Sequence, residues 1–314
     1  MPVSLLWIND LQINYQGLID GINWIRSMDK NNKVKLIECP RDAMQGWKSF
    51  IPTATKINYI NALLQVGFDT IDFGSFVSPK AIPQMADTVD VLKGLAIDNI
   101  KTKLLAIVAN VRGAEDAVLH DAIAYLGFPF SISPTFQLRN TNSTMEKSLE
   151  SVAYIQELCI KNNKKLVVYI SMGFGNPYGD EYNETLVSFW VEKMVQMGIE
   201  IISIADTVGL ATAEQISSIL NSLIPAYPDT EIGVHLHSAI INWKDKVDAA
   251  LQAGCKRFDG ALKGIGGCPM ADDILVGNMD TNLMIPYFKQ QNLLNGIDLI
   301  ALEKCNRMAA EIFV

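Results

Sequence analysis

The sequence predicts a single α/β domain, a (β/α)8 or TIM barrel over residues 35–314, preceded by an N-terminal extension over residues 1–34. Three observations predict it. Eight apolar runs of strand length recur from Lys35 onward, helix-length segments separate them, and successive runs start roughly 25 to 37 residues apart. Eight such units fill the roughly 250 residues of a (β/α)8 barrel, whereas an open doubly wound sheet gives no reason for so regular a repeat.

In the extension, Leu5, Leu6, Trp7, Ile8 and Leu11, then Leu18, Ile22, Trp24 and Ile25, suggest one or two short apolar-faced segments capping the bottom of the barrel. Lys35–Cys39 reads as the first strand, stopped by Pro40. Thr53–Val66 carries Ile57, Ile60, Leu63 and Leu64 at helical spacing and ends at Gly67. The further strands are expected at Thr70–Phe73, Lys103–Ala109, Phe128–Ile132, Lys165–Ile170, Glu200–Ala205, Glu231–Leu236 and Arg257–Leu262. Further helices are expected over Thr144–Asn162, Tyr182–Met197, Ala213–Leu223 and Trp243–Ala253, with Gly198 and Gly254 as stops, and C-terminal helices close the domain.

A formal charge of −8 argues against a nucleic-acid partner, and no apolar run approaches the roughly 18 residues a membrane helix needs. The five cysteines are scattered without a C-x-x-C pair, which fits a reduced chain. No basic segment followed by a small-residue cleavage site opens the sequence, so a cytoplasmic location is expected.

In such barrels chemistry collects at the C-terminal ends of the strands. Arg41 and Asp42 fall there after the first strand, Ser75 after the second, Asp206 and Thr207 after the sixth. His235 and His237, two of only three histidines, end the seventh strand, and a Gly-rich loop, Gly264–Cys268, follows the eighth. Strand residues i and i+2 share a face, so the two imidazoles suit two ligands of one divalent metal. Asp42 could add an oxygen ligand or simply cap a helix. Arg41 beside it offers charge for a developing oxyanion.

Several motifs then occur together: Glu38-Cys-Pro-Arg-Asp-Ala-Met-Gln45, Ser75-Phe-Val-Ser-Pro-Lys80 with Pro83-Gln-Met85, Val234-His-Leu-His237, and Gly264-Ile-Gly-Gly-Cys-Pro269 with Gly277-Asn278. In these motifs and their order the chain resembles the hydroxymethylglutaryl-CoA lyase family over roughly Lys35 to Tyr287. The resemblance implies a divalent metal, Mg²⁺ or Mn²⁺ before Zn²⁺, held by Asp42, His235, His237 and Asn278. It implies that Arg41 stabilises an enolate, that Asp206 acts near the substrate hydroxyl, and that His235 and Cys268 handle the returning proton. Gln45, Asp72, Ser75, Tyr169, Ser203 and Thr207 fall where the family lines its acyl pocket. The implied partner is an acyl-CoA thioester and the implied assembly a homodimer. Lys48 and Lys80 are candidates for the CoA phosphates.

The residues also allow plainer roles. Ser75 and Thr207 could be turn caps, Tyr169 core packing, and Cys268 a small filler. Three departures from the family pattern stand out: Asp72 in place of a glutamate, Ser238 in place of an aspartate after the second histidine, and an acidic, lengthened loop between Cys268 and Asn278. The expected reaction is metal-dependent retro-Claisen cleavage of 3-hydroxy-3-methylglutaryl-CoA, or a close 3-hydroxyacyl-CoA, to acetyl-CoA and acetoacetate. The alternatives are an acetyl-CoA-condensing synthase of the isopropylmalate synthase type, and a binding protein that keeps the fold without turnover.

Overall fold

The computed structural model describes residues 33–267 and 277–314. Residues 1–32 of the extension, with its expected capping segments, and Cys268 lie outside the described residues. Eight parallel strands close into a barrel in sequence order: β1 Lys35–Glu38, β2 Thr70–Ser75, β3 Lys103–Ile107, β4 Ile123–Ser131, β5 Lys165–Ser171, β6 Ile201–Ala205, β7 Glu231–His235 and β8 Arg257–Gly260. Closure runs through β1 and β8, where Ile37 pairs with Asp259, while His235 of β7 pairs with Asp259 from the other side. The ends of β1, β7 and β8 are therefore neighbours, although they are far apart in sequence.

Alternation along the strands divides the core in two. Leu36, Ile71, Phe128, Val168, Ile202, Val234 and Phe258 face the surrounding helices. Leu105, Ile107, Val167, Tyr169 and Ile201 pack inside the barrel. Among those helices, Met145–Lys161, Glu184–Gln196, Ala213–Ala226 and Trp243–Gln252 lie where the periodicity predicts them. Thr144 caps the first of these through Lys147 N, and Thr212 forms a capping box with Gln215 at the third. Gly67, Gly198 and Gly254 follow helix ends with positive φ, a conformation glycine adopts without a Cβ penalty. At the C-terminus Leu299–Ile312 packs on the Thr53–Leu64 helix. No helix of the described residues is long and apolar enough to cross a membrane.

Among the strands, β4 differs most from expectation. β4 starts at Ile123 rather than Phe128, with Gly127 inside the strand where neighbouring side chains leave no room for a Cβ. A Cβ there would meet Ile107 Cδ1 at 2.5 Å and Tyr169 at 3.1 Å. Arg257, which opens β8, is buried at the barrel base. Its aliphatic stem lies across Gly233, where a Cβ would come within 2.8 Å, and its guanidinium reaches Glu231 at 3.3 Å.

Candidate active site

A cavity of about 140 Å³ opens at the C-terminal ends of the strands. Asp42, His235 and His237 lie on its wall, with one ligand atom of each within 4.8 Å of the others. The cluster comes together because Pro40–Gln45 is a short helix springing directly from β1, while β7 carries His235 at its last position. Asn278 is brought in by an antiparallel bridge to His237, and its Nδ2 donates to Asp42 Oδ2 at 2.7 Å and to Ile265 O at 3.0 Å. Asn278 Oδ1 is buried with no protein partner. Gly266 makes this approach possible: a Cβ there would sit 2.5 Å from Asn278 Nδ2 and 3.0 Å from the backbone of Ala43.

The electrostatics follow from burial. Asp42 is desolvated, which favours its acid form, but Arg41, His235 and the Asn278 hydrogen bond outweigh that and lower its pKa. Burial works against a charged His235 ring, yet Asp259, with its Oδ2 3.3 Å from Nδ1, and then Asp42 raise its pKa. Burial pushes Asp72 up to about 6 against the pull of Arg41.

Arg41 is tightly held. Nε donates to Asp72 Oδ2 at 2.9 Å, Nη2 donates to the same oxygen, and Nη1 donates to Asp42 Oδ1 at 3.1 Å and Gln45 Oε1 at 2.8 Å. A guanidinium has five N–H donors, so these contacts leave one on Nη2 for another oxygen.

The acyl-pocket candidates divide. Gln45, Asp72, Tyr169 and Thr207 line the cavity. Tyr169 packs edge-on against His235 with ring centroids 5.9 Å apart, and Thr207 Oγ1 accepts from Met172 N at 2.8 Å. Ser75 and Ser203 do not line it. Ser75 Oγ accepts from Val77 N at 3.2 Å, the turn-capping role its sequence position also allowed. Ser203 is buried one level deeper, paired in register with Gly233. Asp206 is likewise off the cavity wall: Oδ2 accepts from the buried Lys246 Nζ at 2.7 Å and Oδ1 from Ala211 N at 3.0 Å. Lys48 and Lys80 are both exposed, and Lys48 lines a neighbouring cavity of about 470 Å³.

Sequence reasoning missed Asp259, Lys246, Cys39 and Asn140. Cys39 and Asn140 line the cavity, and Asp259 stands behind His235. The charged residues left a signal. Asp259 interrupts an apolar strand, and Lys246 occupies the apolar face of its helix beside Val247 and Ala250.

A family model described as HMGL-like matches residues 33–309. The chain belongs to this family. Among HMGL-like relatives, the mitochondrial hydroxymethylglutaryl-CoA lyase of Mus musculus is 32% identical over 269 residues, covering 85% of this chain and 82% of that protein. A hydroxymethylglutaryl-CoA lyase of Bacillus subtilis is 32% identical over 263 residues, covering 83% and 86%. The crystal structure of a B. subtilis HMG-CoA lyase superposes with a TM-score of 0.83 at 31% identity, over 90% of this chain and 94% of that one. An HMG-CoA lyase from Acinetobacter baumannii, solved in complex with coenzyme A and 3-methylmalate, gives 0.83 and 31% over 90% and 92%. Kinship with these HMGL-like proteins makes the chain a lyase-type enzyme.

Proposed function

We propose that this protein is a divalent-metal-dependent carbon–carbon lyase that cleaves 3-hydroxy-3-methylglutaryl-CoA, or a close 3-hydroxyacyl-CoA, to acetyl-CoA and acetoacetate. The observation that carries the proposal is the convergence of Asp42, His235 and His237 beside Arg41 on the wall of one cavity. The names of the HMG-CoA lyase relatives support the same reaction. Two imidazoles, a carboxylate and the unpartnered amide oxygen of Asn278 fit Mg²⁺ or Mn²⁺. An ion held there supplies Lewis-acid polarisation of a substrate oxygen.

The protein's own groups do the rest. Asp72 is the carboxylate suited to take the hydroxyl proton, because its Oδ1 is unpartnered and its pKa is lifted to about 6. This assigns the base to Asp72 and gives Asp206, whose oxygens are both engaged, a positioning role. Breaking the C2–C3 bond leaves an enolate on the acetyl thioester, and the remaining Nη2 hydrogen of Arg41 can meet its oxygen. His235 and Cys268 are the groups to return a proton to the enolate carbon. Gln45, Tyr169 and Thr207 shape the acyl pocket, and the exposed Lys48 and Lys80 are the candidates for the CoA phosphates. The protein works in the cytoplasm as a homodimer.

The test is a product assay. Protein stripped of metal should be inactive and should release acetoacetate from the CoA thioester once Mg²⁺ or Mn²⁺ is restored. Full activity without metal, or none with any divalent ion, overturns the proposal. Free thiol formed from acetyl-CoA and a 2-oxo acid would indicate the synthase instead.

A further inference from the structure

A second set of ligand-type atoms lies against the first. Cys39 follows β1, His235 ends β7 and Asp259 lies in β8, three contiguous strands. A thiol sulfur, a ring nitrogen and a carboxylate oxygen of these residues lie within 4.8 Å of one another. Cys39 and Asp259 are 1% and 2% exposed, yet Cys39 and His235 both line the cavity, so an ion entering from the mouth can reach them.

Two further observations point to a ligand. Asp259 Oδ1 is buried without a partner, and its other oxygen makes only a long 3.3 Å contact with His235 Nδ1. Cys39 Sγ sits 3.9 Å from Ile37 O, also a long contact. Around that thiol stand Asp259, Asp72 and Asp42, a concentration of carboxyl groups that favours a dication over a bare thiolate.

The donor chemistry of the two clusters differs. Asp42, His235, His237 and Asn278 offer hard oxygen and imidazole. Cys39, His235 and Asp259 offer sulfur, nitrogen and oxygen, a combination that suits Zn²⁺ or its probe Cd²⁺ rather than Mg²⁺. We infer that Cys39, His235 and Asp259 form a second, thiophilic divalent-ion site that shares His235 with the Asp42 cluster and competes with it.

Sharing enforces competition because neutral imidazole has one lone pair. With the Nδ1 hydrogen turned to Asp259 Oδ2, Nε2 is available to the Asp42 cluster. With Nδ1 bound to the thiophilic ion, the proton moves to Nε2 and the Asp42 cluster loses a ligand. The Cys39 proton leaves to solvent as the sulfur–metal bond forms, with no change of oxidation state. The site stands without the lyase reading; only its consequence, inhibition of turnover by Zn²⁺, rests on that reading.

Cd²⁺ titration of the metal-stripped protein tests the site by ultraviolet thiolate-to-cadmium charge-transfer absorption. The expected result is a band saturating at one bound thiolate per chain. It should vanish in Cys39→Ala and Cys39→Ser and persist in Cys268→Ala, with circular dichroism verifying that each variant is folded. Asp259→Asn keeps the sulfur and should weaken Cd²⁺ binding. Excess Mg²⁺ should move the wild-type titration to higher Cd²⁺ in proportion to the Mg²⁺ added. Absence of the band, its survival in Cys39→Ala, or its loss in Cys268→Ala alone overturns the site, and a titration indifferent to Mg²⁺ overturns the sharing of His235. None of these readouts depends on acetoacetate release, so a failure here and a failure of the lyase reading are distinguishable.

Discussion

Lys246 Nζ lies 2.7 Å from Asp206 Oδ2, and the same ammonium donates to the carbonyl of His237, also at 2.7 Å. Both side chains are buried, so the pair is shielded from water and joins the ends of β6 and β7 beneath the candidate metal ligands. Removing the cation leaves a buried carboxylate with no counter-charge. Lys246→Met should destabilise the protein by about 3–5 kcal/mol in urea unfolding. The double variant Asp206→Asn/Lys246→Met should recover part of that loss, since it removes the orphaned charge. Equal losses in the single and double variants would mean that the pair contributes packing rather than charge compensation.

Arg41 separates catalysis from metal binding. Arg41→Met removes the Nη2 donor that the proposed reaction assigns to the enolate oxygen, and loss of one such donor should cost roughly 10²–10³ in turnover. The same change removes a cation beside Asp42, so divalent-ion affinity measured by calorimetry should stay equal or rise. Lost turnover together with lost metal would assign Arg41 a structural role.

Asn278 tests the ligand set directly. Its Nδ2 is 2.7 Å from Asp42 Oδ2, so Asn278→Asp sets a carboxylate against a carboxylate in the metal-free protein. Thermal unfolding of that protein should fall by an amount on the order of 1–3 kcal/mol. Mn²⁺ should stabilise the variant more than it stabilises wild type, because the ion then neutralises both charges. An identical Mn²⁺-induced shift in the two proteins would exclude Asn278 from the site.

The barrel was legible because apolar runs of strand length recur eight times with helix-length spacers between them. The Asp42–His235–His237 cluster was legible because barrel closure makes β1 and β7 near neighbours across β8. The misses share a cause: sequence reports a side chain's chemistry but not the direction in which it is engaged. Asp206 stands next to two cavity-lining residues, Ala205 and Thr207, yet faces away to Lys246. Ser75 spends its hydroxyl on a turn.

Glu38, at the end of β1, carries a pH prediction. It is fully buried, accepts from Leu262 N at 2.8 Å and Thr281 Oγ1 at 2.6 Å, and burial raises its pKa from 4.5 to about 8. The folded protein therefore holds a proton that the unfolded chain releases above about pH 4.5. The stabilisation from this group is complete below the unfolded pKa and is lost as pH rises to about 8, a change of about 4 to 5 kcal/mol. Glu38→Gln keeps an acceptor for Leu262 N and can donate to Thr281, but cannot ionise. The variant should match wild type near pH 5 and exceed it in thermal stability increasingly up to pH 8.5. Parallel stability curves for the two proteins across that range would mean that Glu38 folds as a carboxylate.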